Sequence, residues 1–145
     1  MLKKIELSLN KLQDLPLLAI RMILAYGFYD PAMKKLQDIN AIGDWFASLH
    51  IPAPYFQAYL ATGTEILGVI LLTLGLFTRI ISFPLIITMI VAIVTVHWEN
   101  GFSSGNNGFE IPLYYIIMLI TLICFGAGRI SLGHLLIRKN TKISD

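Results

Sequence analysis

Charged side chains are scarce in this sequence, and cysteine is almost absent. Asp, Glu, Lys and Arg together make up 14% of the 145 residues, whereas a typical soluble domain contains roughly a quarter. The net charge of +2 is too small to indicate a surface that binds nucleic acid. Cys124 is the single cysteine, so the chain lacks the cysteine pair that an internal disulfide or a CxxC redox site requires. These absences argue against nucleic-acid binding and against thiol oxidation.

The sequence is instead rich in long apolar segments. Hydrophobic residues make up 56% of the chain, and the mean hydropathy is +0.71. A helix needs about 20 mostly apolar residues to cross a bilayer. Four segments meet this requirement, at about residues 15–33, 55–77, 80–98 and 111–125. We therefore predict an all-α polytopic membrane protein, with residues 1–145 forming a single domain built on a bundle of four transmembrane helices.

The first segment requires a separate decision, because basic residues precede it as they do in a signal peptide. No small-residue cleavage site follows the apolar run, so we interpret it as a retained span. It is the least apolar of the four, since it contains Arg21 and Asp30.

The connections between the spans differ in character. Only Thr78 and Arg79 separate the second span from the third, which predicts a tight hairpin. Residues 99–110 are rich in glycine and asparagine and predict a turn-forming loop. Residues 34–54 contain apolar side chains at helical spacing among polar ones, which predicts an amphipathic helix lying in the membrane interface. The apolar side chains of this helix are Ile39, Ile42, Trp45, Phe46 and Leu49.

The distribution of basic residues predicts the orientation, because cytoplasmic loops carry an excess of Lys and Arg. Lys34 and Lys35 would lie on one side of the membrane. Eight basic residues would lie on the other side: Lys3, Lys4, Lys11, Arg79, Arg129, Arg138, Lys139 and Lys142. We therefore predict a bacterial inner-membrane protein with both termini in the cytoplasm and its two long loops outside.

Ionisable residues in or beside the spans are candidates for function, because a charge within the bilayer is costly. The candidate intramembrane polar site consists of Arg21, Asp30, Glu65, His97 and Glu110. The last four, together with Glu99, would converge in the outer half of the bundle if each helix rises by about 1.5 Å per residue. They would then line a pocket that faces the periplasm. The alternative is a polar latch for helix packing, in which Arg21 pairs with Glu65 or Asp30.

The residue types in this pocket suit two kinds of ligand. One is the head group of a quinone. The other is a metal ion held by His97, Glu99 and Glu110, since imidazole and carboxylate ligands suit Zn, Fe or Mn. Haem is not expected, because a second histidine at the depth of His97 is missing from the sequence.

The order and spacing of several motifs resemble the DoxX family of small four-helix membrane proteins. Besides Arg21 and His97, the motifs are Ile51-Pro52-Ala53-Pro54, Glu65-Ile66-Leu67-Gly68, Leu74-Gly75-Leu76-Phe77-Thr78-Arg79, Asn107-Gly108-Phe109-Glu110 and Gly126-Ala127-Gly128-Arg129-Ile130-Ser131-Leu132. The resemblance implies a link to redox systems, since members are described as subunits of quinol oxidases or thiosulfate:quinone oxidoreductases. The stretch that begins His97-Trp98-Glu99-Asn100 looks most like the HvfX-type branch, which is encoded beside enzymes that make copper-binding modified peptides.

These observations lead to three hypotheses about function, and none of them assigns a catalytic residue. The first is an accessory inner-membrane subunit of a redox or copper-peptide maturation system, which would have a protein partner besides the lipid bilayer and could form a homodimer. The second is a quinone-reactive oxidoreductase subunit, and the third is a small carrier for a metal or a peptide. For the first hypothesis, we expect Glu65 to be the proton-binding or substrate-contacting group, and Arg21 to be its counter-charge or to hold an anionic or quinone oxygen. His97 and Glu110 would line the outer mouth.

Overall fold

The computed structural model describes residues 12–141, and all regular structure in that range is helical. Within residues 14–141, six α-helices follow one another: α1 (Asp14–Gln37), α2 (Ile39–Ser48), α3 (Pro54–Leu74), α4 (Thr78–Ala92), α5 (Glu110–Phe125) and α6 (Leu132–Thr141). A π-helical turn (Ile93–His97) and a 3-10 turn (Trp98–Asn100) extend α4, and a second 3-10 turn covers Ser104–Asn106. The prediction of an all-α fold is confirmed. Lys3, Lys4, Lys11 and Lys142, which contributed to the predicted orientation, lie outside the described residues.

Two of the described helices are long and apolar enough to cross a membrane. These are α3 and the continuous helix Thr78–Asn100 that begins with α4. The apolar helix α5 is shorter, with 16 residues, and α1 is long but carries several charges. The four predicted apolar segments fall within α1, α3, α4 with its extension, and α5; that all four cross the membrane stays a prediction.

A single hydrophobic core is shared by the four long helices. Its buried residues are Leu24, Ala25 and Phe28 of α1, Leu72 of α3, Ile81 and Leu85 of α4, and Leu119 and Leu122 of α5. The outward faces of the same helices are apolar as well. Ile80, Phe83, Ile87 and Val94, all from the α4 region, are exposed. Helices that are hydrophobic all round fit a lipid environment better than an aqueous one.

The packing order explains how the chain forms two distinct ends. Helix α1 packs on α3, α3 on α4, α4 on α5, and α5 back on α1, while α2 packs on α3. At one end, the backbone N–H of Arg129 donates to Asp14 Oδ1 over 2.6 Å, and Arg79 donates to the carbonyl of Cys124. At the other end, α2 and the loop over residues 101–109 lie near the C-terminal half of α1.

The connection between α3 and α4 is tight, as expected, but it lies earlier in the chain than Thr78 and Arg79. Helix α3 ends at Gly75, whose φ of 68° favours glycine, and the N–H of Leu76 donates to the carbonyl of Leu71. This is a Schellman ending, in which the last carbonyls of the helix find donors locally. A side chain at position 75 would also collide with the guanidinium of Arg21, since an added Cβ would lie 1.9 Å from Nη1.

The first connection is much shorter than the predicted one over residues 34–54. Helix α1 continues to Gln37, and α2 begins almost at once, with the Asp38 side chain accepting a hydrogen bond from the N–H of Ala41. The predicted amphipathic helix is therefore present as α2. Lys34 and Lys35 are not loop residues but form part of the last turn of α1, which changes what they can contact.

Candidate functional site

A cavity of about 840 Å³ lies at the end of the molecule where α2 and the 101–109 loop meet. Its walls come from the C-terminal half of α1, from α2, from the N-terminal half of α3, from the C-terminal half of α4 with its π turn, and from the start of α5. Most of the lining is apolar or aromatic. Phe28 and Tyr115, which both line it, contact each other edge to face with ring centroids 5.4 Å apart. This volume falls in the range of small-molecule sites, about 300–1,000 Å³.

The charged feature of the cavity is an ion pair between α1 and α3. Lys35 Nζ lies 2.6 Å from Glu65 Oε1, with the Glu65 side chain almost fully buried and that of Lys35 only 19% exposed. Glu65 was a predicted site residue, but Lys35 was not, because the sequence analysis placed it in a loop. The continuation of helical spacing beyond Pro31 is the signal that would have placed Lys35 on α1, one turn below the residues that face α3.

The second carboxylate oxygen of Glu65 has no hydrogen-bond partner among residues 12–141, although it is buried. A buried oxygen without a donor is unfavourable, and such groups in proteins are normally satisfied by protein, water or ligand. Thr64 and Thr88 line the same cavity. The hydroxyl of Thr88 is already used, because it donates to the carbonyl of Pro84.

His97 reaches the cavity from the other side. It ends the π-helical turn of residues 93–97, an irregularity that is often found at functional sites. Its Nδ1 lies 2.8 Å from the carbonyl oxygen of Asn107. Since a carbonyl only accepts, Nδ1 carries the proton in this contact, and Nε2 of the neutral ring is left as an acceptor. Asn100 donates to the same carbonyl, so that His97 is fixed to the loop that closes this end of the cavity.

Glu110 organises that loop and does not line the cavity. Its carboxylate accepts the backbone N–H of Ser104 at 2.9 Å and the hydroxyl of Tyr114 at 3.1 Å. The hydrogen bond from Ser104 favours the charged form and lowers the pKa of Glu110. Glu99 is exposed. The metal site suggested for His97, Glu99 and Glu110 finds no support, because residues 12–141 contain no cluster of three metal-ligating side chains.

Asp30 does not join the cavity either. Its side chain is 69% exposed and pairs with Lys34, one helical turn later, over 2.7 Å. The two residues occupy the outward face of α1, whereas Lys35 faces α3. The expectation that Asp30 and Glu65 would lie together at similar depth did not take into account which face of the helix each residue occupies.

Arg21 is buried at the opposite end of the molecule and has different partners from those expected. Its Nη1 lies 3.4 Å from the carbonyl of Leu72, and its Nη2 lies 2.5 Å from the carbonyl of Ile130. The first carbonyl lies at the C-terminal end of α3 and also accepts the N–H of Gly75, and the second lies in the segment that follows α5. Arg21 is thus a latch, as one interpretation proposed, but it joins backbone carbonyls and not Glu65 or Asp30.

Comparison with known proteins identifies the chain's relatives. The DoxX family model matches residues 16–98, a stretch that runs from Arg21 past Lys35 and Glu65 to His97. The chain belongs to the DoxX family. No solved structure matches it.

Three relatives of this DoxX protein resemble it over most of its length. An uncharacterised protein of Haemophilus influenzae is 32% identical over 83% of the chain and 82% of its own length. CatD of Bacillus subtilis, whose name describes it as a candidate oxidoreductase, is 30% identical over 79% of the chain and 80% of its own. A membrane protein of Mycobacterium tuberculosis is 31% identical over 86% of the chain and 83% of its own. The family and the apolar outer surface agree that this DoxX protein is a membrane protein.

Proposed function

We propose that this DoxX protein is a subunit of a membrane redox system and that its cavity binds a lipophilic small molecule of the quinone class. The observation that carries this proposal is the combination of an apolar cavity of about 840 Å³ with one buried ion pair, Lys35–Glu65, in its wall. Apolar walls with a few convergent polar groups are the usual design of a site for a largely apolar ligand with a polar head.

The redox assignment is supported by a relative and by the residues that face the cavity. CatD carries the name of a candidate oxidoreductase. A quinone's ring would pack against aromatic side chains such as Phe28, Trp45 and Tyr115, while its oxygens would reach Lys35 and Glu65. The copper-peptide pathway suggested by the HvfX-type resemblance has no support in the site or in the relatives, so it is left out of this proposal.

The proposal includes four membrane crossings, by α1, α3, α4 with its extension, and α5, with both termini in the cytoplasm. The end that contains Asp14, Arg79 and Arg129 would face the cytoplasm, and the cavity end would face the periplasm. The alternating direction of the four helices and the basic residues at the first end support this arrangement. It is tested by cysteine labelling in a Cys124→Ser background, using a reagent that does not cross membranes. Asn106→Cys should react in intact spheroplasts and Arg129→Cys only after lysis; the reverse pattern would invert the topology.

The two tryptophans of the chain provide a matched test of quinone binding. Trp45 lines the cavity and Trp98 does not. In lipid nanodiscs, Trp98→Phe leaves Trp45 as the reporter, and Trp45→Phe leaves Trp98. A short-chain quinone quenches tryptophan fluorescence on contact, so it should quench Trp45 saturably and Trp98 only in the linear manner expected of quinone dissolved in lipid. Equal, non-saturating quenching of both variants would remove the quinone-site proposal.

The accessory role predicts a protein partner with a redox cofactor or redox active site of its own. Purification of the tagged protein from native membranes in a mild detergent should recover such a partner at near-equal stoichiometry. Native mass spectrometry of the same sample would report whether a homodimer is present. Recovery of the protein alone, with quinone bound, would favour a self-sufficient quinone-reactive protein over a subunit.

A further inference from the structure

The two oxygens of the Glu65 carboxylate differ in their hydrogen bonding, and this difference limits which ligands can bind beside them. Oε1 accepts a hydrogen bond from Lys35 Nζ at 2.6 Å. Oε2 is buried and finds no donor in the part of the chain that the structure describes. Glu65 lines the cavity, so the donor that Oε2 lacks can come from a molecule in that cavity.

Other buried oxygens that lack a partner do not compete for this role. Within residues 12–141 these are the hydroxyls of Thr62 and Thr78, and neither residue lines the cavity. A hydroxyl can also rotate and act as either donor or acceptor, whereas an ionised carboxylate can only accept. Glu65 Oε2 is therefore the cavity group that most narrowly limits the ligand, because in its ionised form it requires a hydrogen-bond donor.

Burial disfavours a charge on Glu65, and the ammonium group of Lys35 opposes that effect by favouring the ionised form. A carboxylate and an ammonium 2.6 Å apart stabilise each other's charged forms. An ionised Glu65 needs a ligand that donates a hydrogen bond. A Glu65 that carried its proton on Oε2 would itself be a donor and would suit a ligand that accepts.

Oxidised and reduced members of the quinone class differ in this property. A quinone carbonyl can only accept hydrogen bonds, while each hydroxyl of a hydroquinone can also donate one. We propose that the cavity discriminates by redox state and binds the reduced, hydroxyl-bearing form in preference to the oxidised form, with the ligand hydroxyl donating to Glu65 Oε2. This inference rests on the proposed function, since it assumes that the cavity holds a quinone-class molecule.

Lys35 can also contact the ligand directly, in addition to pairing with Glu65. Its Nζ has three donor positions, and among residues 12–141 the structure gives it the single partner Glu65. The same ligand oxygen that donates its proton to Oε2 can accept from Nζ, because a hydroxyl has lone pairs to offer. The pair would therefore hold one hydroxyl from both sides, which a methyl ether of that hydroxyl cannot reproduce.

The test measures three closely matched ligands on the full protein in nanodiscs, by isothermal titration calorimetry under anaerobic conditions. The ligands are tetramethylhydroquinone, its dimethyl ether, and tetramethylbenzoquinone. A hydrogen bond to a charged group is worth about 1.5–3 kcal/mol, and each 1.4 kcal/mol is about tenfold in affinity. The hydroquinone should therefore bind at least about tenfold more tightly than both other ligands.

A Glu65→Gln variant sharpens the test, because the glutamine amide offers an N–H donor where the carboxylate offers only acceptors. The preference for the hydroquinone should fall to about onefold to threefold, with quinone binding improved. Asp30→Asn is the matched control: it makes the same change of charge on the outward face of α1, away from the cavity, and should keep the full preference. If Glu65→Gln does not fold, the unaltered protein still tests the inference, because the dimethyl ether lacks the hydroxyl donor that the hydroquinone has.

The outcomes separate this inference from the proposed function. Equal binding of all three ligands would overturn redox discrimination while leaving the quinone-class site in place. Tighter binding of the quinone would show that the pair acts mainly as a hydrogen-bond donor, through Lys35 or through a protonated Glu65, and it too would overturn the inference. Failure of all three ligands to bind would overturn the quinone-class site and the inference with it.

Discussion

Helix α1 carries one buried basic side chain, Arg21, and one partly buried one, Lys35, and their surroundings differ. Arg21 and Lys35 are fourteen positions apart, about 21 Å along the helix axis at 1.5 Å per residue. Arg21 donates to backbone carbonyls of two other segments and lies in dense packing. Lys35 holds a carboxylate whose second oxygen is unsatisfied, at the wall of a cavity. The Arg21 end of the molecule is closely packed, whereas the Lys35 end contains a cavity.

The difference follows from what each basic group recognises. A guanidinium has five donors in a rigid plane and can bridge carbonyls that diverge in direction. That suits a junction where carbonyl oxygens from the end of α3 and from the segment after α5 lie close together. An ammonium is a compact point charge, so it neutralises one oxygen of a carboxylate and leaves the other available. Arg21 Nε and Glu65 Oε2 are both buried without a hydrogen-bond partner among the described residues, but only Glu65 lines the cavity. This comparison teaches that a buried polar atom without a partner suggests a binding site only where a cavity lies beside it.

Removal of Lys35 should have the largest effect on stability. Lys35→Met leaves Glu65 buried and unpaired, and breaking a buried ion pair in this way costs about 3–5 kcal/mol. Thermal unfolding in nanodiscs would measure the loss. The double variant Lys35→Met/Glu65→Met should recover most of it, because no isolated charge remains, but should lose hydroquinone binding. A double variant as unstable as Lys35→Met would mean that packing, and not charge, dominates at this end.

Removal of Arg21 should lower stability by about 3 kcal/mol, since two charge-assisted hydrogen bonds to carbonyls are lost at about 1.5 kcal/mol each. The same unfolding measurement on Arg21→Met checks this. Ligand affinity should change less than threefold, because Arg21 does not line the cavity. Arg129→Gln, at a largely exposed arginine near the same end, is the control. Loss of ligand binding without loss of stability would show that Arg21 takes part in ligand binding, as the sequence analysis predicted.

Gly75→Ala should cost about 2 kcal/mol. A left-handed backbone disfavours a side chain by about 1–2 kcal/mol, and the new methyl group would also push against Arg21. In the Arg21→Met background the collision with the guanidinium should vanish, while the close contact with Ser131 Cβ at 2.5 Å remains, so that the two substitutions are less than additive. A double-mutant cycle of unfolding free energies measures this coupling, and strict additivity would show that the guanidinium does not depend on the space that Gly75 leaves.

Asp30→Asn should have the smallest effect, below about 0.5 kcal/mol, because an exposed pair one helical turn apart contributes little. The same substitution should leave ligand affinity unchanged. Unfolding and titration measurements on this variant check both expectations. A large loss of binding would place Asp30 in a site that the structure does not assign to it.

Hydropathy was enough to find the helices, because an apolar run of about 20 residues has few other stable structures in a membrane. The DoxX resemblance, carried by short motifs in a fixed order, also came from the sequence and was confirmed by the family match over residues 16–98. Glu65 and His97 were found as candidates because polar side chains are rare in apolar segments. Both do line the cavity.

The partners of those residues could not be predicted in the same way. Depth along a helix follows from residue number, but the face a residue occupies relative to its neighbours depends on where the helix ends and how it is rotated. Because α1 extends to Gln37, Lys35 lies next to Glu65. The sequence analysis placed Lys35 in a loop and therefore did not predict this ion pair. The partners of Arg21 are carbonyls at the end of α3 and in the segment after α5, which lie close together only once the helices have packed.

The sequence by itself therefore determined that this is an all-helical membrane protein of the DoxX family with a buried carboxylate at position 65. Only the tertiary structure decided that this carboxylate pairs with Lys35, that its second oxygen is buried without a donor among the described residues, and that Arg21 joins α3 to the segment after α5 at the opposite end. The physical reason is that the two kinds of property depend on interactions at different separations along the chain. Helix formation and membrane affinity depend on neighbouring residues along the chain, while hydrogen-bond partners of a buried charge are set by contacts between helices.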